Sequence, residues 1–358
     1  MAWLRRARGT PAAVHYFHDA GDPYSHLTAQ ILPALQSRYR ISLVRHAVPP
    51  PDAGSAPDAA RLMAWSRRDA VMLAAAYGLQ VSRRDDAGLD VPGDAMLRDG
   101  AALRARLGHY LGATFYFEGE WYWGLDRLHY LEDRLAAQGL DRAAGSPALA
   151  PVRDVTLNGA RGAAKGHVLH MFLSFRSPYS YIALPRARAL ARHYGAALRL
   201  RFVLPMVMRG LPVPRAKRIY ITLDTKREAD RLGLPFGKIV DPVGVGVERG
   251  LAVLHRAMAL GCGEAFAMSF LQGVFAEGVE AASEAGLLEM AERAGVGAGD
   301  VAAALADESW QGVAEANRAE LLESGLWGVP CFRVDDGETV WGQDRLWVVE
   351  DILLRAGL

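Results

Sequence analysis

The sequence predicts an α/β protein made of two tandem copies of one unit, the second enlarged by an all-helical insertion. Three observations predict it. "FHDAGDPYSHL" (17–27) reappears as "FLSFRSPYSYI" (172–182), with Pro23 and Pro178 standing 155 residues apart. "WYWGLDRLHYLEDRL" (121–135) reappears as "TVWGQDRLWVVEDIL" (339–353), with Trp123 and Trp341 standing 218 residues apart. The second copy therefore carries 63 extra residues between its middle and its end. They fall in roughly 243–326, an Ala/Leu/Glu-rich stretch with helical spacing, as in "GLLEMAERAG" and "VAEANRAELLESG".

The second copy gives the clearest element order. Residues 167–174 read as a strand, 178–194 as a helix, and 198–204 as a strand. A helix over 215–232 stops at Gly233 with Pro235 beyond it. The insert reads as about four helices. "CFRV" and "TVW" then read as two short strands around "DDG", and a last helix runs from about 343 to 356. β-α-β, inserted helices, β-β-α is the thioredoxin arrangement with a helical insertion. The expected organisation is a degenerate thioredoxin-like domain with a truncated insert at 1–140, a Gly/Ala/Pro-rich linker at 141–166, and a thioredoxin-like domain with the helical insert at 167–358.

Composition narrows the function classes. Lys and Arg (41) nearly balance Asp and Glu (40), for a net charge of +1, which argues against nucleic acid as the main partner. No apolar run is long enough for a membrane span, and the first residues show no apolar leader core, so a cytoplasmic protein is expected. The two cysteines, Cys262 and Cys331, are far apart and form no C-x-x-C. His15/His18 and His167/His170 lie in strands at a spacing that points them to opposite faces, so they read as strand histidines and no metal site is assigned.

The strand-to-helix turn at Ser177-Pro178-Tyr179-Ser180 carries the chemistry. Many thioredoxin-like enzymes hold C-x-x-C there. Here a serine precedes a proline suited to the first helical position. The turn offers a hydroxyl at the positive end of a helix, a place that lowers the pKa of a thiol. With no cysteine in the protein's own turn, the nucleophilic sulfur would arrive with a cofactor. Ser177 also reads simply as a helix N-cap. Tyr179, Tyr181 and Tyr220 read as packing residues, Cys331 as a small buried strand residue, and Trp121, Trp123, Trp341 and Trp347 as core or interface aromatics.

Four motifs in order, "SPYSY" (177–181), "AKRIYITLDTKREADRLGLPF" (216–236), "GVPCF" (328–332) and "WGQDRL" (341–346), make residues 167–357 resemble the 2-hydroxychromene-2-carboxylate isomerases and kappa-class glutathione transferases of the DsbA-like thioredoxin superfamily. The resemblance implies a glutathione site. Ser177 would be catalytic, lying against the sulfur. Lys217 would supply a cation, Val329 and a cis Pro330 a backbone edge for the tripeptide, and Gln343 and Asp344 the contacts to its γ-glutamyl end. One departure is the loop "MVMRGLPVPRAK", which lacks the asparagine often found there. Asp344 also reads as a cap of the last helix, and Lys217 as a solvated helix-start lysine.

The implied activity is glutathione-dependent cis–trans isomerisation of an aromatic keto acid. Alternatives are kappa-like transferase or peroxidase chemistry, a DsbA-family oxidoreductase-like protein, and a non-catalytic thioredoxin-fold binding protein. The expected partners are glutathione and a small aromatic substrate. The two copies are expected to pair as an internal pseudo-dimer, with a further homodimer open. The first copy has Asp22 at the place of Ser177 and Leu62 at that of Lys217, and the sequence places Thr114 at that of Pro330, so only the second copy is expected to act.

Overall fold

The computed structural model describes residues 11–81 and 93–356. The opening residues on which the reading of no leader rests lie outside the described residues. The chain divides into two compact units. The first runs to Arg153 and includes Pro214–Tyr220; the second holds Asp154–Val213 and Ile221 onward.

In the first unit the order is β1 (Ala12–His18), α1 (Pro23–Ala29), α2 (Leu32–Arg38), β2 (Ile41–Ala47), α3 (Ala59–Tyr77), α4 (Asp94–Leu107), β3 (Thr114–Phe117), β4 (Glu120–Trp123) and α5 (Leu128–Ala137). The strands form one mixed sheet in the order β2-β1-β3-β4, with β1 and β2 parallel and the other pairs antiparallel. Alternation builds it: Ala12, Val14 and Tyr16 point into the core while Ala13 and His15 point away. Leu27, Leu35, Leu73, Leu128, Leu131 and Leu135 close that core from the helices.

The second unit repeats the sheet with β5 (Val168–Leu173), α6 (Pro178–Tyr194), β6 (Ala197–Phe202), β7 (Cys331–Val334), β8 (Val340–Trp341) and α13 (Leu346–Ala356), in the order β6-β5-β7-β8. Both sheets have thioredoxin-like topology. A large helical insertion separates β6 from β7: α7 (Arg215–Arg231), α8 (Val245–Ala259), α9 (Gly263–Gln272), α10 (Glu284–Arg293), α11 (Ala298–Leu305) and α12 (Ser309–Glu323). Five helices stand after residue 243 where about four were expected. The extra break lies at Gly295, whose φ of 81° ends α10 before Gly297 opens α11. A π-helical turn over Gly273–Glu277 follows α9 directly.

Strand pairing sets the correspondence between the copies. Phe172 faces Cys331 across β5 and β7, and Phe17 faces Thr114 across β1 and β3. Gly342 N–H donates to Pro330 O, and Gly124 N–H donates to Ala113 O. Cys331 Sγ donates to Gly328 O, and Thr114 Oγ1 donates to Leu111 O. Thr114 therefore occupies the place of Cys331, and Ala113 that of Pro330. The sequence reading set Thr114 at the place of Pro330, one residue too far along; the ladder partners put Ala113 there.

Candidate functional site

Antiparallel pairing of β5 with β7 brings the start of β7 to the carboxyl end of β5, where the turn into α6 begins. Residues 174–177, 328–330 and, through the Gly342–Pro330 bond, 342–344 meet at this end of the second sheet.

Ser177 is the N-cap of α6. Its backbone is extended (φ −100°, ψ 108°), and its Oγ accepts from the Ser180 N–H at 3.1 Å. Among the described residues the Ser177 hydroxyl donates no hydrogen bond. Ser180, at the second cysteine position, is fully buried and accepts from the Ser174 N–H at 3.4 Å. Neither position holds sulfur. Cys331 is buried, its thiol donating to Gly328 O at 3.1 Å, and burial pushes its pKa up. Cys262 precedes α9 in the insertion. Tyr181 is buried, its hydroxyl donating to Pro235 O at 2.6 Å, and burial raises its pKa to about 12.

The Val329–Pro330 peptide bond is cis. Among the described residues no hydrogen bond engages the Val329 N–H or carbonyl, which leaves an edge open to an extended peptide. Gly328 fits beneath Trp341 only because it has no side chain: a Cβ would stand 2.1 Å from the indole ring. Gln343 is buried. Its Oε1 accepts from Arg186 at 2.6 Å, and its Nε2 donates to Glu228 at 3.3 Å and to Asp344 Oδ1. Gln343 therefore orients Asp344, which is half-buried beside it. Ser177, Val329, Pro330, Gln343 and Asp344 are thus placed at one end of one sheet. Lys217 belongs to the Pro214–Tyr220 segment of the first unit, where its ammonium donates to Ser55 O at 2.9 Å and burial lowers its pKa to about 8.

A tyrosine–carboxylate bond, unassigned in the sequence reading, stabilises this turn: Tyr179 donates to buried Asp224 at 2.7 Å, as Tyr24 does to Asp69 at 2.9 Å in the first unit. The repeat itself was the signal, because all four residues obey the 155-residue offset.

The corresponding place in the first unit is closed. Asp22 caps α1, accepting from the N–H of Tyr24 and Ser25 and from the Ser25 hydroxyl. Burial, with Asp19 adding like charge, raises its pKa to about 6. Gly112 stands where Val329 does, and a Cβ there would lie 2.7 Å from that of Asp19. The loop is packed on the turn, leaving no ledge.

The histidines expected to be ordinary have protein partners. His15 shares a hydrogen bond with His46 at 2.9 Å, His18 with Tyr16 at 3.2 Å, His167 with Asp335 at 2.6 Å, and His170 accepts from Arg201 at 3.1 Å. Trp121 and Tyr220 are buried, and Trp123 and Trp341 half-buried. No helix among the described residues is long and apolar enough to cross a membrane.

The DSBA-like thioredoxin domain family matches residues 168–354, just over half of the chain. The protein belongs to the DSBA-like thioredoxin domain family. Solved structures similar to this DSBA-like protein include a 2-hydroxychromene-2-carboxylate isomerase, 22% identical over 52% of this chain and 95% of that one, TM-score 0.46. A probable DsbA oxidoreductase from Streptomyces coelicolor is 23% identical over 53% and 89%, TM-score 0.41. The cytosolic disulfide reductase DsbM from Pseudomonas aeruginosa, solved with GSH, is 24% identical over 52% and 99%, TM-score 0.41. No curated protein matches the chain.

Proposed function

We propose that the second unit of this DSBA-like protein binds glutathione at the turn before α6 and serves as a glutathione-dependent cis–trans isomerase of an aromatic keto acid. The observation that carries the reading is the Ser177 hydroxyl, which accepts from the helix and among the described residues donates to nothing, at a turn where neither dithiol position has sulfur. A thiolate placed there gains one O–H donor and the positive end of a helix of 17 residues. The donor set suits the rest of the tripeptide: Val329 offers one N–H and one carbonyl, and Asp344, oriented by Gln343, offers a carboxylate to an ammonium.

The chemistry supplied by bound glutathione is reversible addition of a thiolate to a conjugated carbon, leaving a single bond free to rotate before the sulfur departs. Ser177 would hold the sulfur ionised on arrival and again on departure. Dithiol exchange is disfavoured because Cys331 is buried and Cys262 lies outside the turn.

The second unit is proposed to be the one active copy. Calorimetric titration with glutathione tests this: one site per chain, lost when Ser177 and Asp344 are replaced together, is expected. Two equivalent sites, or a site that survives that replacement, would refute it. Recovery of glutathione after turnover separates isomerisation from transfer, which consumes it.

A further inference from the structure

We infer that Arg176 selects a carboxylate-bearing substrate for this site and that Asp241 occupies its guanidinium when no substrate is bound. The inference rests on the proposal that the turn before α6 is the reaction site. Arg176 directly precedes Ser177. Its Nε and Nη2 donate to the two carboxylate oxygens of Asp241 at 2.7 and 2.6 Å, a planar fork. The arginine side chain is 18% exposed and the aspartate 48%, so the cation is the built-in partner and the anion the solvated one. An ion pair with one partner so exposed is weak in water. A second carboxylate can take the same fork at little cost.

The loop carrying Asp241 is fixed by its backbone. Tyr181 donates to Pro235 O at 2.6 Å, and the N–H groups of Gly237 and Val240 donate to Phe275 O and Val274 O at 3.0 and 2.9 Å. Apolar side chains beside it are left outside: Ile239 and Val243 in the loop and Val245 at the start of α8 are 39%, 44% and 50% exposed. Half-buried Phe236 stacks on Tyr181 and Phe275 in the same loop. A fork for a carboxylate, flanked by exposed aliphatic side chains, suits a flat apolar body that ends in an acid. Such a ligand would match the charge of Asp241 and bury surface that Asp241 cannot cover.

The test is titration of the full-length protein with cinnamate and with uncharged cinnamamide, in the wild type, Arg176→Gln and Asp241→Asn. Cinnamate should bind the wild type, bind Arg176→Gln about tenfold or more weakly, and bind Asp241→Asn several-fold more tightly. Cinnamamide should bind all three alike. Cinnamate affinity that is absent in the wild type, equal in all three proteins, or tracked by the amide overturns the inference. A parallel titration with glutathione keeps the two ideas apart: its failure removes the proposed cofactor and leaves the cinnamate result to be judged separately.

Discussion

Tyr194 donates its phenolic hydrogen to Glu350 across 2.7 Å in the second unit, and both side chains are buried. Their counterparts in the first unit, Tyr39 and Glu132, are bonded at 3.1 Å. Each glutamate also binds backbone from the stretch read as a linker. Glu132 accepts from the N–H groups of Leu149 and Ala150, and Glu350 from those of Thr156 and Leu157. The sequence shows no periodicity there because these residues form no helix or strand and are tied through their backbone to a buried glutamate.

Replacing Glu350 by Ala should therefore strand a buried hydroxyl and two N–H groups. The expected cost is about 2–4 kcal/mol, with Tyr194→Phe costing about 1 kcal/mol. Hydrogen exchange locates the effect. Thr156 and Leu157 should lose protection in Glu350→Ala while Leu149 and Ala150 keep theirs. Uniform loss across the chain would contradict it.

Ser177→Ala should lower kcat about a hundredfold while changing glutathione affinity less than about threefold, because the hydroxyl acts on the reactive thiolate. Ser177→Asp should keep the helix cap, as Asp22 does, yet raise the bound thiol's pKa. Ultraviolet absorbance of the thiolate against pH reads that shift. An Asp variant with an unchanged thiolate titration would disprove the role.

Lys217 gives a signed pH dependence. Burial lowers its pKa from 10.5 to about 8, so between those values the unfolded chain binds more protons and wild-type stability rises with pH. Lys217→Met should be more stable than wild type at pH 7, by about 1–3 kcal/mol, and that advantage should shrink between about pH 8 and 10.5. Urea titrations of both proteins across this range provide the check, and a pH-independent difference would count against it.

Asp22 has the opposite sign. Its pKa is raised to about 6, so the folded state binds more protons and this residue's support for the fold is lost as pH rises from about 4 to 6. Asn keeps an N-cap acceptor. Asp22→Asn should match wild type near pH 4 and exceed it by about 1 kcal/mol or more at pH 7. Melting curves at both pH values decide; equal stabilities at pH 7 would rule the carboxylate's burial unimportant.

The sequence by itself determined the duplication, both sheets, the place of the helical insertion and the turn with serine at both dithiol positions. These are local or repeated patterns: apolar alternation, Ser-Pro at a helix start, Gly at helix ends. Tertiary structure decided what depends on partners distant in the chain. The register that sets Ala113 rather than Thr114 at the place of Pro330 follows from ladder bonds, which no motif records. Whether Val329 offers a free backbone edge or, like Gly112, is closed against a neighbouring turn depends on a packing distance. Lys217 shows the same limit. Its position in a helix start is plain in the sequence, but its lowered pKa and its bond to Ser55 O come from residues 162 positions away, and a buried charge is set by whatever surrounds it in space.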